Sequence, residues 1–471
     1  MSSSIPPAVA LAEVPSNDDQ ALPRRRLVFF IVAIALFMAS IDQTIVATAL
    51  STIHRELHSG IEWSSWTITI YALGQILVMP LAGKLSDMYG RKRIFVSAVI
   101  LFTIASLLCG LSTNIYMLVA LRAAQAIGGG AFMPSATGIV ADHFGRNRDR
   151  ALGMFTSIFP IGGIIGPVLG GLFVTGWSWR GIFLVNVPIG AILIVLAVVF
   201  LPKGSLRPSK RLDVWGVVLL GSLLLSAMFG ITLLGDGSTS LLGVGFLLPE
   251  GIAIAALVLF VLRMKYAESP FIPLRLLRGG GFGVMNLINF LYGAAALGFG
   301  ALVPLYAQDR FGIPVLQAGT LLTARAVGVV CVAGLAVLAL RRTGYRLPMV
   351  VGFAVMAAGL ASMALKPPGV SPYLWLTLSG AIAGIGMGLS VPATNNATMQ
   401  LARDQLAGVA GLRGMFRQSG SIMGVSITTA ILASSTNPGE TLSTVFIVFA
   451  AILVCVVVPV VFLVPEHRGR W

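Results

Sequence analysis

One acidic residue, Asp42, interrupts the first long apolar run of the sequence, in the segment Ser40-Ile41-Asp42-Gln43-Thr44. A single carboxylate deep in a membrane-spanning helix costs about 2.5–3.5 kcal/mol on insertion scales. Such a group is paired with a cation, protonated for part of its working cycle, or both. Asp42 is therefore the first candidate for a site at which proton binding is coupled to another event.

Arg122 is the cation best placed to meet Asp42. Counted from the outer end of each apolar run, Arg122 lies about seven residues deep and Asp42 about eight. With a helical rise of 1.5 Å per residue, both lie roughly 10–12 Å below the same surface. The sequence therefore predicts a contact, direct or through water, in which the arginine favours the ionised carboxylate and burial opposes it. A fixed structural pair, with Arg122 also bound to Gln125 or to helix carbonyls, is the alternative.

Further polar residues interrupt the apolar runs of the second half of the chain. Arg325, Arg413 and Arg417 are functional candidates because charges inside a bilayer are rare, although each could instead extend its head group to the surface. Amide side chains supply the other polar points, either as cavity lining or as hydrogen bonds between helices. The predicted substrate-cavity lining comprises Gln125, Asn286, Asn289, Arg325, Asn395 and Asn396.

The elements that carry these residues are predicted to be membrane-spanning helices. Of the 471 residues 56% are apolar and only 10% are charged, whereas soluble domains have about 25% charged residues. Hydrophobic windows of about 20 residues indicate fourteen spans in an all-α polytopic membrane protein. We predict a tail at 1–26, a six-helix bundle at 27–201, an extra two-helix hairpin with its linkers at 202–281, a second six-helix bundle at 282–464 and a tail at 465–471.

The net charge of +15 reflects the orientation of the chain in the membrane. Most of the basic residues fall in loops on one side of the predicted spans, which is the pattern of cytoplasmic loops. We therefore expect both termini in the cytoplasm, a multi-pass location in the cell membrane with lipid as the surrounding partner, and no binding of nucleic acid.

The loop Gly83–Arg93 combines an acid, a turn glycine and three consecutive bases. Gly90 permits a tight turn because glycine tolerates a positive φ, and Asp87 can pair with an arginine or cap a helix. The loop is predicted to act as a conformational latch between two bundles, with a basic loop and an incidental acid as the alternative. The predicted latch comprises Gly83, Asp87, Gly90, Arg91, Arg93 and Arg417.

This loop resembles the characteristic loop of the major facilitator superfamily. Leu121–Gly130 resembles the fourth-span motif of that superfamily, and Gly162–Gly171 resembles its antiporter motif. Ile41–Leu50 and Trp179–Gly190 are similar to motifs of the fourteen-span drug:proton antiporter-2 family. The matches follow one another over the first 190 residues, and the second half matches more loosely.

The resemblance implies a major facilitator fold of two six-helix bundles plus the extra hairpin. It also implies export of hydrophobic or cationic compounds, such as drugs and antibiotics, in exchange for protons by alternating access, with Asp42 and Arg122 as the coupling residues. We expect a functional monomer. A lipid or metabolite exporter of the same fold, coupled to protons or not, is the alternative. Ala126 stands where the fourth-span motif has glycine.

The antiporter motif predicts a hinge in the fifth span. Gly162, Gly166 and Gly170 share one helix face and Gly171 lies on the adjacent face, a spacing that allows close backbone contact with a neighbouring helix. Pro167 lacks an N–H and so permits a bend. Ordinary glycine-rich packing is the alternative.

Nothing in the sequence points to catalysis. The four histidines fall in predicted loops or tails, the three cysteines are scattered, and no phosphate-binding Gly-x-x-x-x-Gly-Lys-Ser/Thr loop is present. We therefore expect a secondary transporter rather than an enzyme, with no metal and no cofactor, driven by the proton gradient.

Overall fold

The structure is a computed structural model. It describes residues 22–59, 61–144, 148–156, 158–202, 213–235, 239–267, 270, 272, 276–277, 281–365, 367, 369–401, 406–433 and 435–464. Throughout these residues the regular structure is helical, with no strand. The predicted tail at 465–471 and most of the predicted tail at 1–26 lie outside the described residues.

The first half of the chain contains eight helices in the described residues. The first four are long: α1 (Leu22–Glu56), α2 (Ile61–Tyr89), α3 (Arg91–Gly110) and α4 (Ile115–Phe144). The predicted fifth span is built from α5 (Arg148–Thr156) and α6 (Ile158–Gly176), and the sixth from α7 (Gly181–Leu184) and α8 (Asn186–Phe200).

The predicted hairpin and second half follow in order. The hairpin is α9 (Val214–Gly235) and α10 (Val244–Tyr266). The ninth predicted span is α11 (Phe282–Tyr292), a π-helical turn at Gly293–Leu297, and α12 (Gly298–Phe311). The remaining helices are α13 (Val315–Thr343), α14 (Arg346–Ala364), α15 (Pro372–Gln400), α16 (Leu406–Ala433) and α17 (Pro438–Leu463).

These helices confirm an all-α membrane architecture. Within the described residues, eleven helices are long and apolar enough to cross a bilayer. The total of fourteen spans stays a prediction. The fifth and ninth predicted spans are assembled from shorter helices, and the thirteenth corresponds to α16 with its two arginines, Arg413 and Arg417.

Two large apolar clusters form the core, one centred on the first half and extending to α16, the other within the second half. In the first half, the Phe102 and Phe132 rings lie 5.3 Å apart where α3 crosses α4. In the second half, the Tyr306 and Phe446 rings meet edge to face at 5.0 Å between α12 and α17. The large lipid-facing residues of the hairpin, such as Ile254 and Val258 on α10, remain exposed, as expected for a helix pair at the perimeter of a membrane protein.

The two halves approach each other where α2 ends and α3 begins, which we call the Asp87 end. There α2 packs along α16, and Gly411 lies so close to Met79 that an added Cβ would overlap the Met79 carbonyl. A Cβ on Gly408 would lie 3.8 Å from Asp87 Oδ2. The opposite extreme, at which α1 ends, is called the Glu56 end.

Candidate functional site

Asp42 lies at the centre of a buried hydrogen-bond network in the first half. Its side chain is 0% exposed. Asp42 Oδ2 accepts from Arg122 Nη1 at 2.7 Å, while Oδ1 accepts from Gln125 Nε2 at 3.0 Å and from Asn186 Nδ2 at 3.1 Å. Both carboxylate oxygens are therefore bonded, and the bond to the guanidinium is of the short, charge-assisted kind.

Arg122 connects Asp42 to α2 as well as to its own helix. Its Nε donates to the Thr67 carbonyl at 3.1 Å, and its Nη1 also donates to Gln125 Oε1 at 2.6 Å. The guanidinium carbon lies 3.9 Å from the centre of the Tyr71 ring, a cation–π contact. A change at Asp42 therefore alters contacts that involve α1, α2 and α4.

A second layer of the network fixes the amides that contact Asp42. Ser106 Oγ accepts from both Gln125 Nε2 and Asn186 Nδ2, each at 3.1 Å, and donates to the Phe183 carbonyl at 2.9 Å. These bonds orient both amide groups so that their N–H atoms point at the carboxylate. The network thus spans six helices, α1, α2, α3, α4, α7 and α8.

The contact between Asp42 and Arg122 that the sequence predicted from their depth is present. Asp42 and Arg122 are in direct contact, and Gln125, predicted as cavity lining, is fully buried within their network. Asn186 and Ser106 were missed. Each is a polar residue inside an apolar run, and a polar side chain in a membrane helix usually forms a hydrogen bond with another polar group. That pattern could have indicated both residues.

The glycines of α6 form a close seam with α1 beside Asp42. A Cβ on Gly162 would lie 2.6 Å from Ser40 Cβ, and one on Gly166 would overlap Thr44 Oγ1. Gly170 meets Thr48 in the same way. These three glycines therefore let α6 touch the turns of α1 on either side of Asp42.

The remaining residues of the predicted hinge lie differently. A Cβ on Gly171 would meet nothing within 4 Å, and the same is true of Gly163. Pro167 lies in the interior of α6. Only one face of the predicted hinge is therefore in contact with α1.

The predicted latch forms a cluster at the Asp87 end. Gly90 has φ 96°, the positive value that the sequence predicted, and it precedes α3. Arg91 is buried, lies 3.5 Å from Asp87, pairs with Asp142 and donates to the Gly138 carbonyl. The cluster therefore ties the end of α2 to the end of α4.

The other latch residues have different places. Gly83 is buried in α2, and Arg93 is exposed on α3. Arg417, grouped with the latch as a candidate partner of Asp87, lies apart from it along α16. Gly408 is the α16 residue beside Asp87, and Arg417 lies more than two turns further along, about 13 Å away along the helix axis.

Comparison with known proteins identifies the family. A profile described as Major Facilitator Superfamily matches residues 32–425 and 285–471. The chain belongs to the Major Facilitator Superfamily. This superfamily member is therefore a multi-pass plasma-membrane transporter of small molecules, not an enzyme.

Two named relatives and one solved structure show the range of similarity. The chain is 30% identical over 419 residues to Multidrug transporter protein MdtP of Bacillus subtilis (strain 168), covering 87% of this chain and 75% of the relative. It is 28% identical to Riboflavin transporter RibZ of Clostridioides difficile (strain 630), covering 83% and 84%. Its fold matches that of the proton:xylose symporter XylE with a TM-score of 0.68, at 14% identity, over 96% and 98% of the two chains.

The predicted cavity residues of this superfamily member's second half fall into two groups. Asn286 Nδ2 donates to the Leu276 carbonyl at 2.9 Å, and Asn289 Nδ2 donates to Met285 within its own helix at 2.7 Å. Both asparagines are buried and bonded to backbone carbonyls. The Asn289 bond stays within one helix, so it is not the hydrogen bond between helices that the sequence left open as the alternative.

The second group lies nearer the interface of the two halves. Arg325 on α13 and Arg417 on α16 both lie within electrostatic range of Tyr292. Asn395 and Asn396 are buried near the end of α15. Asn395 accepts a hydrogen bond from Arg413 Nη1 on α16.

Proposed function

We propose that this transporter exports hydrophobic or amphipathic compounds, among them drugs, in exchange for protons, with Asp42 as the proton-binding residue and Arg122 as its switchable partner. The observation that carries the proposal is the fully buried Asp42–Arg122 pair inside a network from six helices. The relative named as a multidrug transporter supports the substrate class.

The network gives a physical reason for coupling. The Asp42 carboxylate accepts three hydrogen bonds, one of them from the Arg122 guanidinium. A neutral carboxyl group no longer attracts Arg122 as an ion, so proton uptake releases the guanidinium from Asp42. Arg122 then keeps its bond to the Thr67 carbonyl on α2 and its place over Tyr71. Protonation at Asp42 therefore changes the tie between α1 and α2.

The same helix α2 reaches the interface of the two halves. Met79 and Asp87, on the second part of α2, face Gly411 and Gly408 of α16. A shift of α2 on release of Arg122 would therefore alter the packing that holds the Asp87 end closed. This is a two-state contact biased by the proton, which is what alternating access requires.

Transport by purified protein in liposomes tests the proposal. With an imposed pH gradient, Asp42→Asn is expected to abolish accumulation of a lipophilic dye above its equilibrium level while leaving the protein folded. Unchanged gradient-driven accumulation by the Asp42→Asn variant would exclude Asp42 as the proton-binding residue.

The chain offers a matched control in Asp213. This residue is also a buried aspartate paired with an arginine, with Arg263 Nε 3.1 Å from its Oδ1, but it lies at the start of the peripheral hairpin. Asp213→Asn is expected to keep gradient-driven accumulation. Loss of transport in both variants would indicate damage to the fold rather than to coupling.

A metabolite exporter is the second candidate, and the relative named as a riboflavin transporter favours it. The same liposomes distinguish the two. Faster movement of riboflavin than of lipophilic dyes, with no dependence on the pH gradient, would support the metabolite exporter and contradict proton-coupled drug export.

A further inference from the structure

Two buried side-chain nitrogen atoms, one from α15 and one from α16, have no hydrogen-bond acceptor among the described residues. Arg413 is 1% exposed and Asn395 is 3% exposed. Arg413 Nη1 donates to Asn395 Oδ1, so the two side chains are already in contact. Within the described residues, Arg413 Nη2 and Asn395 Nδ2 are both buried and lack a hydrogen-bond partner.

Both orphaned atoms are N–H donors. Because Arg413 and Asn395 are bonded to each other, their two unsatisfied donors belong to one small region of the second half. Leaving buried donors unsatisfied is costly, most of all when one belongs to a charged group. The pair is therefore arranged to receive an electron-rich group that the described residues do not supply.

The surrounding charge favours an anion over a neutral acceptor. Arg417 lies one turn beyond Arg413 on α16 and within its electrostatic range. In the described part of the second half, the acidic residues Asp309 and Glu440 are both exposed and lie near the Glu56 end. A water molecule could satisfy the hydrogen bonds but could not balance the positive charges of buried Arg413 and half-buried Arg417.

The position of the pair is set by the faces of α16. Gly411 and Gly414 face Met79 on α2, whereas Arg413, between them in sequence, points to the opposite side and reaches α15. Gly408, beside Asp87, lies about 8 Å from Arg413 along the helix. The donor pair thus lies about one and a half turns beyond Gly408 along α16, on the side that faces α15 rather than α2.

We infer that Arg413 and Asn395 form a binding site for one singly negative group, with Arg417 adding to its positive field. The group is either the carboxylate of a transported compound or a free inorganic anion such as chloride. The carboxylate source rests on the proposed export function, whereas the free-anion source does not. The second half therefore favours negatively charged groups, whereas a cationic substrate would need a negatively charged site.

Thermal unfolding of the purified protein in detergent tests the site without transport. Chloride or benzoate is titrated against isethionate at constant ionic strength. The unfolding midpoint of the unmodified protein is expected to rise by about 3–6 °C at saturation. A rise with chloride identifies a free-anion site, and a rise with benzoate alone identifies a carboxylate site.

The variant Asn395→Asp supplies the missing negative group from within the chain. It is expected to raise the midpoint in isethionate and to remove the response to added anion. The matched control is Asn289→Asp, since the Asn289 amide donates to a backbone carbonyl and a carboxylate there loses its bond. Asn289→Asp is expected to lower the midpoint and to leave the response to added anion intact.

The result that would overturn the site is a flat titration of the unmodified protein together with an Asn395→Asp variant no more stable than Asn289→Asp. That result would mean that water alone occupies the donors. The Asp42→Asn variant is expected to keep the anion response, so failure of the proton-coupling proposal and failure of this site are separable.

Discussion

At the scale of single residues, two buried carboxylates of the chain show how surroundings decide a role. Asp213 caps α9 by accepting from the Gly216 N–H at 3.1 Å, and its partner Arg263 is 43% exposed. Asp42 and Arg122 are at most 1% exposed, and neither can exchange its partner for water. Asp42 is therefore bonded to side chains of two other helices, whereas Asp213 serves a local helix end.

The burial of this pair leads to a stability prediction. Arg122→Met should leave Asp42 as an uncompensated buried charge and lower the free energy of unfolding by about 3–5 kcal/mol. The double variant with Asp42→Asn should recover most of that loss, because no charge remains unpaired. Denaturant or thermal unfolding in detergent measures all four members of this cycle. Losses that simply add would show that the two residues are energetically independent.

At the scale of helices, the contact between α1 and α6 depends on the absence of side chains. The α6 glycines allow its backbone to lie against Ser40 and Thr44, the neighbours of Asp42 on α1. Hydroxyl groups on these α1 residues bond to backbone carbonyls, Ser40 to Phe159 and Thr44 to Ile41. The seam thus holds the helix that carries Asp42 in a defined rotation.

A methyl group on either face of α6 tests this seam. Gly166→Ala is expected to overlap Thr44 Oγ1, destabilise the protein by about 1–3 kcal/mol and slow transport. Gly163→Ala is the matched control, because a Cβ there meets nothing within 4 Å. Alanine also has a higher helix propensity than glycine, so this variant should not be destabilised. Unfolding midpoints and transport rates of the two variants should therefore diverge. Equal behaviour would contradict a tight seam at Gly166.

Helices also show what the sequence could and could not predict. The positive φ of Gly90 and the shared face of Gly162 and Gly166 follow from local spacing, and both are found. The contact of Asp42 with Arg122 follows from counting depth along two helices. Each of these inferences needs only the geometry of a straight helix in a bilayer.

Contacts that depend on how two helices cross could not be predicted from the sequence. Asn186 was missed because its approach to Asp42 depends on how α8 crosses α1 and α3. Arg417 was assigned to Asp87 because the register of α2 against α16 cannot be read from either helix alone. Ala126, where the family motif has glycine, fits because Gly74 on α2 faces its methyl group.

At the scale of the whole molecule, the halves are joined at one end. The close approaches between them, at Met79 with Gly411 and at Gly153 with Val337, both lie toward the Asp87 end. At the Glu56 end, the described polar contacts stay within one half, such as that of Trp179 with Glu56. With the orientation predicted from the basic loops, this state is closed on the cytoplasmic side.

Closure at the Asp87 end can be locked covalently. A Cβ on Gly153 of α5 would lie 3.4 Å from the Cβ of Val337 on α13, close to the 3.5–4.5 Å spacing of a disulfide. In a background without the natural cysteines, Gly153→Cys with Val337→Cys should therefore cross-link under oxidant. If transport requires the halves to separate there, oxidation should reduce the transport rate at least tenfold, and a reductant should restore it.

The control for this lock is a cross-link inside one half. A Cβ on Gly439 of α17 would lie 2.9 Å from the Cβ of Arg310 on α12, and both helices belong to the second half. The two positions must move apart by about 0.6 Å to reach the 3.5–4.5 Å spacing of a disulfide. Gly439→Cys with Arg310→Cys should cross-link under the same oxidant and keep most of its transport, because the half moves as a unit in alternating access. Full transport by the oxidised pair at Gly153 and Val337 would instead mean that the Asp87 end stays closed throughout the cycle, and that substrates leave the protein by another route.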